Sequence, residues 1–353
     1  MTDTPPKLEM AERLVPLIER IIARVKQRSV TEWLFTLGPI IALVFIYVLF
    51  IILLEFKAES GLANPFLTMR QIEMIARQTA IVGMAALGMT LVIIAGGIDL
   101  SIGSVIAFSC VVIAWLLERA GLGPFAAAIG GILAGALCGF LNGLITTAAR
   151  VVPFIATLGM MGIVRGAAKW LGNNQKIDVT EYRGLNSLLS SLPEDSLMIF
   201  PPGVWLLIVL AIATWVGLRY TRFGKHVTAV GSNDQTARLC GISVNKTILL
   251  VNCIGGIFAG LAGLMLFSRL TVGDPTSAMG EELNVIAAVV IGGGSLSGGE
   301  GSILGSLVGA LVMSVIRSGC TQLGLESYVQ EILTGIIIIV AVALDNVRRR
   351  RAT

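Results

Sequence analysis

Ten stretches of this chain are apolar, and most are long enough to cross a bilayer as helices. They fall at roughly 34–54, 72–95, 101–117, 125–148, 152–171, 204–218, 247–268, 284–294, 301–318 and 327–345. In hydrocarbon every backbone N–H and C=O must find its partner within the protein, so such segments form a helical bundle. The composition agrees. With 55% hydrophobic and 14% charged residues, the chain has too few polar side chains to cover a soluble surface. Its 41 glycines suit close helix contacts and helix breaks. The expected fold is an all-α polytopic membrane protein, a bundle of about ten transmembrane helices over 34–345. The eighth segment is short, and the second runs into a glycine-rich break.

The distribution of Lys and Arg sets the expected orientation. Lys7, Arg13, Arg20, Arg24, Lys26 and Arg28 precede the first span, and Arg348 to Arg351 follow the last. Arg150 sits in one turn, and Arg219, Arg222, Lys225, Arg238 and Lys246 share the stretch 219–246. All of these fall on one side if both termini are cytoplasmic. The stretch 173–203 then lies outside, and there Lys176 and Arg183 are balanced by acids. Arg70 and Arg77 oppose the rule mildly, though Glu73 lies one helical turn from Arg77 and can pair with it. The tail 1–33 holds a basic amphipathic pattern over 7–28, fit for a membrane surface or for solvent, and 346–353 is a basic tail. Five scattered cysteines show no metal or redox spacing.

One carboxylate stands inside the apolar pattern, in VIIAGGIDLSIGS at 92–104. An unpaired ionised acid at membrane depth costs about 3 kcal/mol or more, so Asp99 needs partners. As a helix cap, Asp99 or Ser101 would accept the free N–H groups of the helix that follows. As a path residue, Asp99 would face a passing solute. A capped end lining a cavity would satisfy both. A second break, GGGSLSGGEGS at 292–302, echoes the first on the same expected side, a pattern that points to a transport path. Its LSGGE run looks like a nucleotide-contacting loop. However, the chain has no phosphate-cradling Gly-rich loop ending in Lys-Ser/Thr, so it is not expected to bind ATP. Asn142, Thr157 and Asn284 lie within apolar segments, fit for interhelical hydrogen bonds or solute contact. Glu281 and Glu282 fall at the outer mouth of the eighth segment, facing a partner protein or solvent.

The stretch 219–246 is long and polar for a membrane-protein connection. Ser232 followed by Gln235 fits a capping box, Asp234 suits a helix start, Arg238 suits its end and Gly241 its stop. A helix of about two turns is therefore expected over 233–240, able to act as a lever for another protein.

Four segments together, LGMTLVIIAGGIDLSIGS, VPFIATLGMMGIVRG, GKHVTAVGSNDQTARLCGI and EELNVIAAVVIGGGSLSGGEGSILGSLVGAL, resemble the permease subunits of bacterial ribose/xylose/galactose-type ABC importers. The similarity runs from about residue 65 to about 345. The resemblance implies a type II ABC importer-like fold in the bacterial inner membrane. It implies a permease pair, here a homodimer, and a cytoplasmic ATPase with two nucleotide-binding halves that binds the ATP. A periplasmic sugar-binding protein would deliver a monosaccharide or related polyol. It assigns docking on the ATPase to 224–242, with Gly231, Ser232, Asn233, Asp234, Ala237, Arg238 and Gly241. Thr228, Ser232 and His226 depart from the residues usual there. The path candidates are Asp99, Ser101, Asn142, Thr157 and Asn284, and the binding-protein contacts are Glu281 and Glu282. No catalytic set, metal site, bound cofactor or nucleic-acid partner is expected. The rival class, an ion-coupled secondary sugar transporter, would need several buried acids or a proton relay.

Overall fold

The computed structural model describes residues 30–57, 64–181, 184–191 and 198–352. The expected amphipathic segment 7–28 lies outside them. All ten apolar segments are helical. They form α1 (Val30–Lys57), α2 (Met69–Ile94), α3 (Ile102–Glu118), α4 (Pro124–Ala148), α5 (Pro153–Leu171) and α6 (Pro202–Tyr220). After two helices not among the ten, α7 (Arg222–Ser232) and α8 (Asp234–Leu239), come α9 (Val244–Leu270), α10 (Glu281–Ile291), α11 (Ile303–Gln322) and α12 (Ser327–Ala352). Among the described residues the protein is thus all-α and polytopic apart from one two-residue strand pair.

Among the described residues, seven helices are long and apolar enough to span: α1 from Leu37, α2, α4, α5, α6, α9 and α11. This falls short of the expected ten for a geometric reason. The apolar parts of α3 (Ile102–Glu118) and α12 (Ser327–Ala343) are shorter. At 11 residues α10 is only about 16 Å long, roughly half a bilayer core. Both α3 and α10 adjoin a glycine break.

Local chemistry starts these helices. Proline occupies the first helical position of α4, α5 and α6, where its missing N–H is no loss. Thr68 caps α2 by accepting the Gln71 N–H at 3.3 Å. Four of the described helices stop on one device, a glycine with positive φ whose N–H and that of its successor turn back to the last carbonyls. Gly96 (φ 84°) ends α2, Gly241 (φ 80°) α8, Gly293 (φ 88°) α10 and Gly324 (φ 68°) α11.

Packing is built around α2, which is buried along nearly its whole length. The most extensive helix contact is between α4 and α9. Gly135, Gly139 and Gly143 of α4 meet Gly256, Gly260, Asn252 and Leu249 of α9, while Gly131, one turn earlier, faces Ile113 of α3. A Cβ on Gly139 would lie 2.2 Å from the Asn252 carbonyl oxygen, and one on Gly135 2.5 Å from that of Gly256, so the two backbones touch. By contrast, α1 lies at the periphery over its described side chains, 37–57, with Phe45 and Phe56 exposed and, among these, only Phe50 and Leu54 buried, Phe50 against Gly319 of α11.

The bundle has two distinct ends. At one, β1 (Ile177–Asp178) pairs antiparallel with β2 (Val272–Gly273), beside a 3-10 turn at Leu185–Leu188. Glu73 and Arg77 pair there at 4.0 Å, as their spacing suggests, and Arg77 also donates to Ser191 Oγ at 2.7 Å. At the other end α7 and α8 close over the termini of α2 and α9.

Candidate functional site

The break between α2 and α3 collects four of the five path candidates. Asp99 Oδ1 accepts from the Ser101 N–H at 2.8 Å, from the Ser101 hydroxyl at 2.5 Å and from Asn142 Nδ2 at 3.4 Å. Asn142 also donates to Ser101 Oγ at 2.9 Å, and Thr157 of α5 donates to the Ile98 carbonyl at 3.1 Å. All four side chains are buried. Hydrogen bonds of this kind offset the desolvation of a buried carboxyl group. The cap differs from the expectation. Ser101 occupies the N-cap position of α3 but makes no side-chain cap bond, because its hydroxyl is committed to Asp99 and Asn142. Asp99 folds back on the chain two residues ahead, not on the first turn of α3. Asn142 Oδ1 is buried without a partner.

The fifth candidate, Asn284, lies apart on α10. It donates to Glu281 Oε2 at 3.1 Å and lines a small pocket with Gln78, Met313, Ser314 and Arg317. Glu281 is buried and ion-paired with Arg317 of α11. Glu282 is half-buried, packed where a Cβ on Gly103 would fall. The exposed side chains of this segment are instead Met279 and Leu283.

The stretch 219–246 is not a loop around one helix. Thr221 caps α7 through the Gly224 N–H at 3.2 Å, and α7 buries Val227 and Val230. Ser232 is the last residue of α7 and donates to the Thr228 carbonyl at 2.9 Å, so it does not cap α8. Asn233 does, accepting the Thr236 N–H at 2.8 Å. The expected capping box is therefore replaced by a neighbouring cap. The span of α8 matches the expected 233–240 within a residue at each end. Ala237 packs under α8 with Val230 and Val244, and Gly241 stops the helix. Arg238 and Asp234 stand 4.0 Å apart, both more than half exposed. Leu239 is 89% exposed, an apolar side chain held out beside these charges. Its exposure is invisible in the sequence until the face that Ala237 buries is known.

The two glycine breaks meet beneath α7. Each opens with the same glycine cap, on Gly96 and Gly293, so their sequence echo is also a structural one. The LSGGE run folds into a tight turn, with positive φ at Gly298 and Gly299, and the Gly299 N–H donates to the Ile94 carbonyl at 2.9 Å. Gly231 of α7 fits into this contact. A Cβ there would lie 1.7 Å from the Ile94 oxygen and 2.8 Å from the Gly299 nitrogen. A Cβ on Gly298 would lie 2.6 Å from the Gly231 carbonyl oxygen and 2.9 Å from Gly96 Cα. Three segments thus touch through main chain alone. A cavity of about 490 Å³ adjoins the junction, between Trp215 and Arg219 of α6, Thr228 of α7 and residues 299–303.

A bundle of apolar, membrane-length helices with two interrupted helices at its centre, both touched by Gly231 of α7, is the architecture of a multi-pass membrane protein. The chain belongs to the family described as the permease component of branched-chain amino acid transport systems, whose model matches residues 71–342. It is 38% identical over 289 residues to the ribose import permease protein RbsC of Escherichia coli (strain K12), covering 81% of this chain and 89% of that one. It is 34% identical over 294 residues to the fructose import permease protein FrcC of Rhizobium meliloti (82% of each chain). Over 304 residues it is 35% identical to the L-arabinose ABC transporter permease protein AraH of Azospirillum brasilense (86% and 88%). These matches bear out the family resemblance carried by the four motifs, and the chain is a multi-pass inner-membrane protein. No solved structure matches it.

Proposed function

We propose that this chain is the translocating subunit of an ATP-driven importer that passes a monosaccharide or related polyol from a periplasmic binding protein to the cytoplasm. The relatives named for ribose, fructose and L-arabinose support the solute class. Both termini and α7–α8 face the cytoplasm in this reading, as the Lys and Arg distribution favours. Two copies form the path. A cytoplasmic ATPase with two nucleotide-binding halves binds the ATP and docks on α8, and this chain does no covalent chemistry. The observation that carries the coupling is Gly231. The helix offering Leu239, Asp234 and Arg238 to a partner begins three residues after the glycine wedged between both glycine breaks. A displacement of α8 is thereby passed to the segment that precedes Asp99 and to the turn before α11. Differential contacts in two states are what coupling requires.

The test is uptake of labelled sugars into proteoliposomes containing this chain, its ATPase and its binding protein. Uptake should need ATP and the binding protein. Arg238→Glu should lower it about tenfold or more, as like-charge juxtaposition does at an interface, without unfolding the permease. Uptake without ATP that collapses with the ion gradient would instead establish the secondary transporter, with Asp99 as its ion-coupling acid.

A further inference from the structure

At the end opposite α8, the segment from β2 to the first turn of α10 is held by two arginines on different helices. Arg165 of α5 donates through Nη1 to the Pro275 carbonyl and to the Ser277 carbonyl, each at 2.8 Å. Arg317 of α11 pairs with Glu281 at the start of α10, and Asn284 one turn on donates to the same carboxylate. The two attachments have different mechanical meanings. The Arg317–Glu281 pair lies within the hairpin formed by α10 and α11. That hairpin is already packed backbone to backbone, since a Cβ on Gly309 would lie 1.9 Å from the Ala288 oxygen and one on Gly305 2.0 Å from the Gly292 oxygen. The Arg165 bonds cross from α5 to the hairpin's leading segment. The other end of the hairpin is the turn that donates from Gly299 to Ile94 beside Gly231.

We propose that Arg165 is a latch, a positioning residue that holds the α10–α11 hairpin against α5 and shuts the end of the path away from α8. Arg317 keeps the open end of the hairpin stiff, so that motion of Gly231 at its turn strains the latch at the other end. The release of two carbonyls from one guanidinium is then a step of each transport cycle. What the latch serves rests on the transport reading above; whether it exists does not.

Hydrogen exchange followed by mass spectrometry on the full-length chain in lipid nanodiscs tests the latch directly. Arg165→Gln should speed exchange of the 272–280 amides about tenfold, which is about 1.4 kcal/mol of local opening, with α9 unchanged as proof of folding. Arg317→Gln should speed exchange at the first turn of α10, and the swap Glu281→Arg with Arg317→Glu should restore it. In the assembled importer, Arg165→Gln should keep ATP hydrolysis while import falls, and Arg165→Lys, which restores a cationic donor of nearly the same reach, should recover part of the import. Unchanged exchange over 272–280 in Arg165→Gln would overturn the proposal. So would hydrolysis and import falling in parallel. If the unmodified complex moves no sugar with ATP, the transport reading fails while the exchange result still decides the latch.

Discussion

Replacing Gly231 by alanine tests the glycine junction. The added methyl would sit 1.7 Å from the Ile94 oxygen, about half an ordinary contact distance, and 2.8 Å from the Gly299 nitrogen. Both are main-chain atoms joined to each other by the 2.9 Å hydrogen bond, so no side chain can rotate away. Forcing the segments apart costs about 1–3 kcal/mol as overpacking, and losing that bond adds about 1 kcal/mol. Because Gly231 is helical, alanine returns up to about 1 kcal/mol of helix propensity. The net expectation is a loss of about 1–3 kcal/mol, or roughly 2–6 °C at about 2 °C per kcal/mol. Thermal unfolding of the purified permease reads it. Gly217→Ala is the control, since it is also helical but has nothing within 4 Å of the new Cβ, and it should melt at or above the unmodified protein. The ATPase should still co-purify, because the outer face of α8 is untouched, but ATP-driven uptake should fail. Equal melting of the two variants would falsify the three-way backbone contact.

The Asp99 cluster makes a different demand. Asp99→Asn keeps an oxygen for the Ser101 N–H and hydroxyl and should fold and transport close to normal, whereas Asp99→Leu strands those donors and should cost about 1–3 kcal/mol. Equal loss of uptake in both would show that the negative charge itself is needed. At α8, Asn233→Ala should cost about 1 kcal/mol of cap and weaken ATPase docking, while Ser232→Ala should do neither, which pull-down of the ATPase by each variant would check. Gly139→Leu should abolish folded yield in the membrane, because its side chain would have to enter the backbone of α9 at Asn252 and Gly256. Recovery of well-folded protein would contradict that seam.

The apolar runs made the helices legible, since span length is fixed by the bilayer and hydropathy is additive along a run. What they concealed was depth. Nothing in the eighth run distinguishes a span from the half-helix α10, whose start is set by the Arg317 pair and whose end is set by Gly293. The helix α7 was hidden by polarity, although Phe223, Val227 and Val230 stand at helical spacing. Missing α7 also misplaced the cap. Both Ser232 and Asn233 suit an N-cap, and only the helical hydrogen bond of Ser232 to Thr228 leaves the role to Asn233. The polar candidates at 99, 101, 142 and 157 converge because buried polar groups in lipid must find one another. Glu281 obeys the same rule, but its partner Arg317 lies 36 residues away and the local sequence does not reveal the pairing. The meeting of Gly96, Gly231 and Gly298 carried no signal beyond the glycines themselves, since main-chain contact has no side-chain pattern.

The seam between α4 and α9 sets a step size. Glycines recur every four residues on α4, so the facing backbone meets a gap about every 6 Å along the axis and a methyl or larger group between gaps. A slide of one residue would drive a side chain into main chain, and only a full step would restore the fit. Ordinary interfaces shear by small rotamer changes; at Gly135 and Gly139 this one meets only main chain. The pair therefore behaves as a fixed rail, and whatever travels when the protein switches travels relative to it. Substitutions along the rail will report on whether the machine is assembled, and those at its two ends on whether it runs.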